Sequence, residues 1–137
     1  MRKVPTLHTG FSSLFFPVPH LQTYTAALLH RLASETAGRG AGLNDMGLSR
    51  KKQVIQEAID RYDQYKADAF TVLQTVGGLD IAGLTGVFIG GAVYHVPIVL
   101  DGLISGAAAL LAKRIIPGTE HFMIASHLGK EPAAKAI

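Results

Sequence analysis

Residues 76–92, Val-Gly-Gly-Leu-Asp-Ile-Ala-Gly-Leu-Thr-Gly-Val-Phe-Ile-Gly-Gly-Ala, run on to Val96-Pro-Ile-Val-Leu-Asp-Gly102, and this stretch constrains the fold more than any other. Ile81 to Leu100 is twenty residues without Asp, Glu, Lys or Arg, the length of a membrane span. Its glycines, Pro97 near its end and flanking Asp80 and Asp101 in place of basic anchors argue against one continuous span. Dividing the run into a glycine-studded helix and a buried strand that ends at Asp101-Gly102 accounts for all three features. A helix, a strand and an acidic turn in this order form an α/β building block, with ligand chemistry expected where the strand ends.

The rest of the chain is punctuated accordingly. Residues 1–26 place Phe11, Phe15, Phe16 and Tyr24 among Pro5, Pro17 and Pro19 without a sustained period, and read as a poorly structured arm. No clean apolar segment with a small-residue cleavage site follows Met1-Arg-Lys, so a signal peptide is not expected. The pattern predicts a short helix over Thr25–Glu35, a loop at Gly38–Gly42 and a helix from Ser49, with Ser49 as N-cap. Val54, Ile55, Ala58, Ile59 and Tyr62 share one face of that helix. Further helices are predicted over Ala67–Val76, over Ile81–Tyr94 with Asp80 as cap, and over Leu103–Ile115, stopping before Pro117-Gly118. Gly83, Gly86 and Gly90 fall on one side, where another backbone can approach. Val96–Leu100, too apolar to alternate in and out, and Phe122–Ala125 are the strands, giving a parallel βαβ unit. Residues 27–137 thus form one α/β domain, a partial parallel sheet with flanking helices in a Rossmann-like arrangement.

Composition narrows the function classes. The 137 residues are 48% hydrophobic and 17% charged, which excludes bulk disorder. Cysteine is absent, which removes disulfides and thiolate metal sites and fits a reducing compartment. A net charge of +3 from scattered basic residues argues against a nucleic-acid partner.

Three groups of residues are candidates for chemistry. Gly38-Arg-Gly-Ala-Gly42 before a helix can offer backbone N–H groups to a phosphate, with Lys51 adding charge. On pattern alone a plain connection and a solvated lysine explain these residues better. Asp101, at a strand's carboxyl end, is either a ligand-facing carboxylate or an Asp-Gly turn opening the next helix. Ser126 and His127 stand at the same place on the second strand, although adjacency alone does not orient a base toward a nucleophile. His121 and His127 lack a familiar zinc spacing, and Glu120 and Glu131 read as surface carboxylates.

Several segments together resemble the nicotinate-nucleotide:dimethylbenzimidazole phosphoribosyltransferase family of cobalamin synthesis, over roughly residues 37–132. Gly38-Arg-Gly-Ala-Gly-Leu43 is similar to the family's phosphate loop, and Lys51 in Ser-Arg-Lys-Lys-Gln-Val-Ile matches the lysine that follows it. Val76–Gly83, Pro97–Gly102 and Ala125-Ser-His-Leu-Gly-Lys-Glu131 continue in order. The resemblance implies a cytoplasmic homodimer on a parallel α/β sheet. It implies transfer of the phosphoribosyl group of nicotinate mononucleotide to 5,6-dimethylbenzimidazole, giving α-ribazole phosphate and nicotinate. It implies no metal or organic cofactor.

By the same resemblance Gly38, Gly40, Gly42 and Lys51 hold the phosphate, and Asp101, Ser126 and His127 line the site. The family's general-base glutamate sits in a Gly-Glu-Gly segment downstream of the Ser-His motif, which these residues do not include. The family's Gly-Glu-x-Gly-x-x-Asn-Thr-Thr loop is matched at Pro17–Thr25 only by Thr23 and Thr25. The resemblance therefore implies a partial chain, truncated or frame-shifted, with residues 1–26 unrelated to the family and no transfer activity of its own. Open sheet edges are expected to cause self-association. A non-catalytic interaction module and a small membrane-associated protein are the alternatives.

Overall fold

The structure, a computed structural model, describes residues 18–39, 42–61, 66–127, 129, 132–135 and 137. Phe11, Phe15, Phe16, Gly40, Tyr62 and Glu131 lie outside the described residues. In chain order the elements are α1 (Val18–Leu29), α2 (Ala33–Thr36), α3 (Asp45–Arg61), α4 (Ala69–Val76), α5 (Leu79–Val93), β1 (Ile98–Leu100), α6 (Gly102–Ile115) and β2 (Met123–Ala125). Short 3-10 turns cover Thr119–Phe122 and Pro132–Lys135. The strands pair in parallel, Ile98 with Met123, Val99 with Ile124 and Leu100 with Ala125, joined by α6 as the βαβ pattern requires.

Two cores explain the position of α1. Tyr24, Ala27 and Leu28 pack with Val72 and Val76 of α4, Ile81 and Phe88 of α5, and Ala107, Ala108, Leu111 and Ala112 of α6. Ala26, on another side of α1, packs with Ala33, Ala37, Ile55 and Ile59. Because α1 lies between the two clusters, even its polar Gln22, Thr23 and Thr25 are buried. The small residues 106–109 of α6 let α1 come close enough for the Tyr24 hydroxyl to donate to the Ala107 carbonyl. Burial pushes the Tyr24 phenol far above its ordinary pKa. From the end of α6, Arg114 Nη2 donates to the Leu28 carbonyl at 2.9 Å, closing the last turn of α1.

Several boundaries differ from the sequence expectation. The helix expected over Thr25–Glu35 is two helices, and α1 begins at Val18, inside the span assigned to the arm. The break falls at His30, whose φ is +51°, a left-handed conformation that ends a helix. Helix α3 starts before Ser49: the Asn44 side chain accepts from Gly47 N at 2.8 Å and supplies the cap. Gly78, not Asp80, occupies the N-cap of α5. Asp68 caps α4 by accepting from Thr71 N at 2.9 Å, a bond that lowers its carboxyl pKa.

The close approach expected at Gly83, Gly86 and Gly90 is absent, since a Cβ at each would meet nothing within 4 Å. It occurs instead at Gly91, where α5 turns into β1 through His95, another left-handed residue. A Cβ on Gly91 would fall 2.5 Å from Ile98 Cδ1 and 2.9 Å from the Val96 carbonyl oxygen. Gly91→Ala is therefore expected to cost about 1–3 kcal/mol through forced displacement of β1. A lowered urea midpoint with an unchanged slope is the measurement that checks it.

The charge-free run is indeed divided, into α5 and β1, and no helix among the described residues is long and apolar enough to cross a membrane. Contrary to the expected two-sided burial, β1 alternates. Ile98 and Leu100 face the main core, while Val99 is 60% exposed beside its partner Ile124 at 53%. Helices cover one face of this sheet, and its other face presents paired apolar side chains to solvent.

Candidate functional site

The parallel register ends both strands at the same level, Leu100 beside Ala125, so Asp101 and Ser126 emerge next to each other. The Leu100 carbonyl accepts from Ser126 N at 3.2 Å and from Ser126 Oγ at 2.5 Å. Ser126 Oγ lies 2.9 Å from His127 Nδ1, and the same nitrogen lies 3.8 Å from Asp101 Oδ1. Asp101 is the N-cap residue of α6 but makes no side-chain cap bond. Ser105 takes that structural duty, its Oγ accepting from Asp101 N at 2.7 Å and donating to the Asp101 carbonyl at 2.6 Å. The Asp101 carboxylate is thereby left to the open end of the strands, with its side chain 90% exposed. Gly102 has φ +72°, a conformation that disfavours any side chain at this turn.

Leu100, Gly102, Ser126 and His127 border a cavity of about 390 Å³. Leu103 and Gly106 of α6 form one wall, Ala125, Ser126 and His127 another, and Gly129 closes part of a third. Its lining is mostly apolar, with polar groups gathered at the strand ends, the composition of a small-molecule site. The expected position, outside the carboxyl ends of parallel strands, is where it lies.

A second cluster forms around the glycine loop. Lys51, in the second turn of α3, is only 7% exposed, and its Nζ donates to the Gly38 carbonyl at 2.8 Å. The solvated-lysine reading is thus overturned: the ammonium is turned inward onto a buried loop residue. Arg39 ties the loop to α3, donating to the Leu43 carbonyl at 3.1 Å and pairing with Asp45. Gly42 has φ +101° and open space around it. Gly38 and Lys51 are brought together, whereas Gly40 lies outside the described residues.

Sequence reasoning missed the roles of Arg39 and Ser105. The i, i+4 spacing of Asp101 and Ser105 was the available signal for the last of them, because one helical turn brings such a hydroxyl back to the helix start. Glu120, read as a surface carboxylate, is half-buried. It accepts from Gly118 N at 2.8 Å, and bonds from the Glu120 and Gly118 N–H groups hold its carboxyl below the usual range. Among the described residues no group of three His, Asp or Glu is placed to hold a metal ion.

Comparison with known proteins gives these clusters a context. A family model described as "Phosphoribosyltransferase" matches residues 22–137, including 22–26 of the expected arm. A curated relative named nicotinate-nucleotide–dimethylbenzimidazole phosphoribosyltransferase from Chloroflexus aurantiacus is 46% identical over 112 residues, which is 82% of this chain and 32% of the relative. One of the same name from Clostridium acetobutylicum is 48% identical over 103 residues, 75% of this chain and 29% of that protein. The crystal structure of CobT from Thermus thermophilus superposes with a TM-score of 0.80 at 33% identity, over 86% of this chain and 35% of that one. The chain spans about a third of the length of the curated relatives it matches. With nearly its whole described length inside that match, this chain belongs to the phosphoribosyltransferase family.

Proposed function

We propose that this chain carries the nucleotide-holding part of an enzyme that moves a phosphoribosyl group from nicotinate mononucleotide to 5,6-dimethylbenzimidazole. The C1–N bond to nicotinate breaks, a C1–N bond to the benzimidazole forms, and the benzimidazole ring proton passes to the family's general-base glutamate, which lies outside these residues. The products are α-ribazole phosphate and nicotinate. Gly38, Gly40, Gly42 and Lys51 hold the phosphate, and Asp101, Ser126 and His127 line the space beyond the strand ends. The reading uses no metal or organic cofactor and places the protein in the cytoplasm, with a homodimer as its assembly.

The observation that carries this reading is the inward-turned Lys51. A buried ammonium is costly unless an oxygen-rich partner meets it. The Gly38 carbonyl at 2.8 Å places that charge against the glycine loop. A phosphate in this position receives charge from the lysine and N–H groups from glycines that carry no side chain to block approach.

A chimera tests it. The matched 112 residues of this chain replace their counterparts in the Chloroflexus aurantiacus relative, and α-ribazole phosphate is followed by chromatography. Retained formation of product within about tenfold of the parent is expected, since the site contacts are then intact. A folded chimera that binds no nicotinate mononucleotide refutes the assignment.

A further inference from the structure

A second cavity, of about 330 Å³, lies at the amino ends of the strands, away from Asp101. Ile89 and Ala92 in the last turns of α5 border it, with Ile116 and Pro117 after α6 and Thr119 and Phe122 before β2. Its walls are mostly apolar. An apolar cavity of roughly 150 Å³ is enough to hold benzene, so this one has room for a ring and a substituent.

One polar group in those walls is unaccounted for. Thr119 is 2% exposed, and its Oγ1 has no hydrogen-bond partner among the described residues. Leaving a buried hydroxyl unpaired is costly, and folded proteins seldom do so without a use for it. The backbone donors around it are already committed. Thr119 N donates to the Ile116 carbonyl at 3.4 Å, His121 N to the Gly118 carbonyl at 3.3 Å, and Gly118 N to Glu120 Oε2 at 2.8 Å. The Glu120 N–H is bonded to its own carboxylate, and Pro117 has no N–H to give. Acceptors are the groups left over. At the end of α5 the carbonyls of Gly90, Gly91 and Ala92 accept from Tyr94, Val96 and His95. The residue four beyond Val93, which also borders the cavity, is Pro97, with no N–H for the Val93 carbonyl.

This inventory selects an occupant. An anion finds no free backbone donor. A cation loses its hydration against apolar walls, and the nearby Glu120 carboxylate is already paired with Gly118 N and, at 3.6 Å, with Lys113. A hydrocarbon leaves the Thr119 hydroxyl unpaired, and a lone water finds few polar partners. We propose that this cavity binds a small neutral aromatic alcohol, a phenol, whose ring packs on Ile89, Ile116 and Phe122 and whose hydroxyl donates to Thr119 Oγ1. The site is separate from the Asp101 cavity and stands independently of the proposed function.

The test titrates the full chain, its isoleucine methyl groups ¹³C-labelled, with phenol and with toluene, which matches phenol in shape but has no donor. Phenol is expected to shift the Ile89 and Ile116 methyls saturably while Ile104, in the first turn of α6, stays unmoved. Thr119→Val keeps the side-chain shape and removes the hydroxyl. In that variant the ratio of phenol to toluene affinity should fall roughly three- to tenfold, the worth of one neutral hydrogen bond. Thr119→Ser keeps the hydroxyl, so there the ratio should hold.

Absence of a saturable shift at Ile89 and Ile116 up to the solubility limit of phenol overturns the proposal. Equal movement of Ile104 does the same, since it marks general adsorption to the surface. An unchanged ratio in Thr119→Val also overturns it and leaves the hydroxyl to a water molecule. Tighter binding of benzoate or benzylamine than of phenol refutes the choice of a neutral donor. Should Thr119→Val fail to fold, Ala92→Leu decides. It fills the cavity from α5, so the phenol shift at Ile116 should vanish, and retained binding refutes the site.

Discussion

Tyr24→Ala is expected to remove about 3–5 kcal/mol of folding stability, the usual cost of deleting a fully buried aromatic ring. Tyr24 is completely buried where α1, α4 and α6 meet, and its hydroxyl reaches the Ala107 carbonyl across the main core. Domains of this size are stabilised by only about 5–15 kcal/mol in total, so the variant sits near its unfolding threshold at physiological temperature. Tyr24→Phe keeps the ring and loses only the bond, with an expected cost of about 1–2 kcal/mol. Calorimetry on the three proteins separates the terms: the alanine variant should melt well below the phenylalanine variant, and similar melting of the two would mean that the ring contributes little packing.

The largest expected effect on chemistry is at Lys51. In the chimera described above, Lys51→Met should lower kcat/KM by about 100- to 1000-fold, the range for losing one preorganised charged donor. Methionine retains most of the apolar stem, so the melting temperature should move by only a few degrees. Lys51→Arg should recover little, because a planar guanidinium does not replace a compact ammonium at a buried loop. Kinetics and melting measured on the same preparations decide the matter. A Lys51→Met chimera with near-normal turnover would remove the lysine from the phosphate site.

How far the amino-acid order foretells this molecule depends on which physical signal each part uses. Helix α3 was legible from its apolar spacing, and the other helices from α4 on and both strands from apolar runs divided by Gly77-Gly78, Pro97 and Pro117-Gly118. Helix α1 was not legible. It is buried between two cores, so Gln22, Thr23 and Thr25 face protein as Ala26 and Ala27 do, and no wet stripe marks its orientation. The start of α3 was misplaced for a different reason: Asn44 and Ser49 are both good caps, and only the position of Gly47 N relative to Asn44 chooses between them.

The candidate site divides in the same way. That Asp101, Ser126 and His127 belong together follows from placing two parallel strands side by side, which the βαβ pattern already implied. Whether the Asp101 side chain caps α6 did not follow, because it depends on whether Ser105 reaches back one turn. The inward aim of Lys51 was equally hidden. A lysine on a helix whose neighbours Arg50 and Gln53 are exposed carries no sign in the sequence that its own ammonium is buried.

The small parallel sheet has a consequence for how tightly any ligand can bind. Two strands of three residues each, helix-covered on one face and carrying Val99 and Ile124 bare on the other, form an element expected to open locally before α5 and α6 unravel. Asp101, Ser126 and His127 are mounted on the ends of that element. Occupancy of the cavity and closure of the strands are therefore coupled equilibria: part of each ligand's intrinsic affinity is spent holding the sheet shut. Whatever covers Val99 and Ile124 tightens binding from the opposite side of the sheet without touching the ligand.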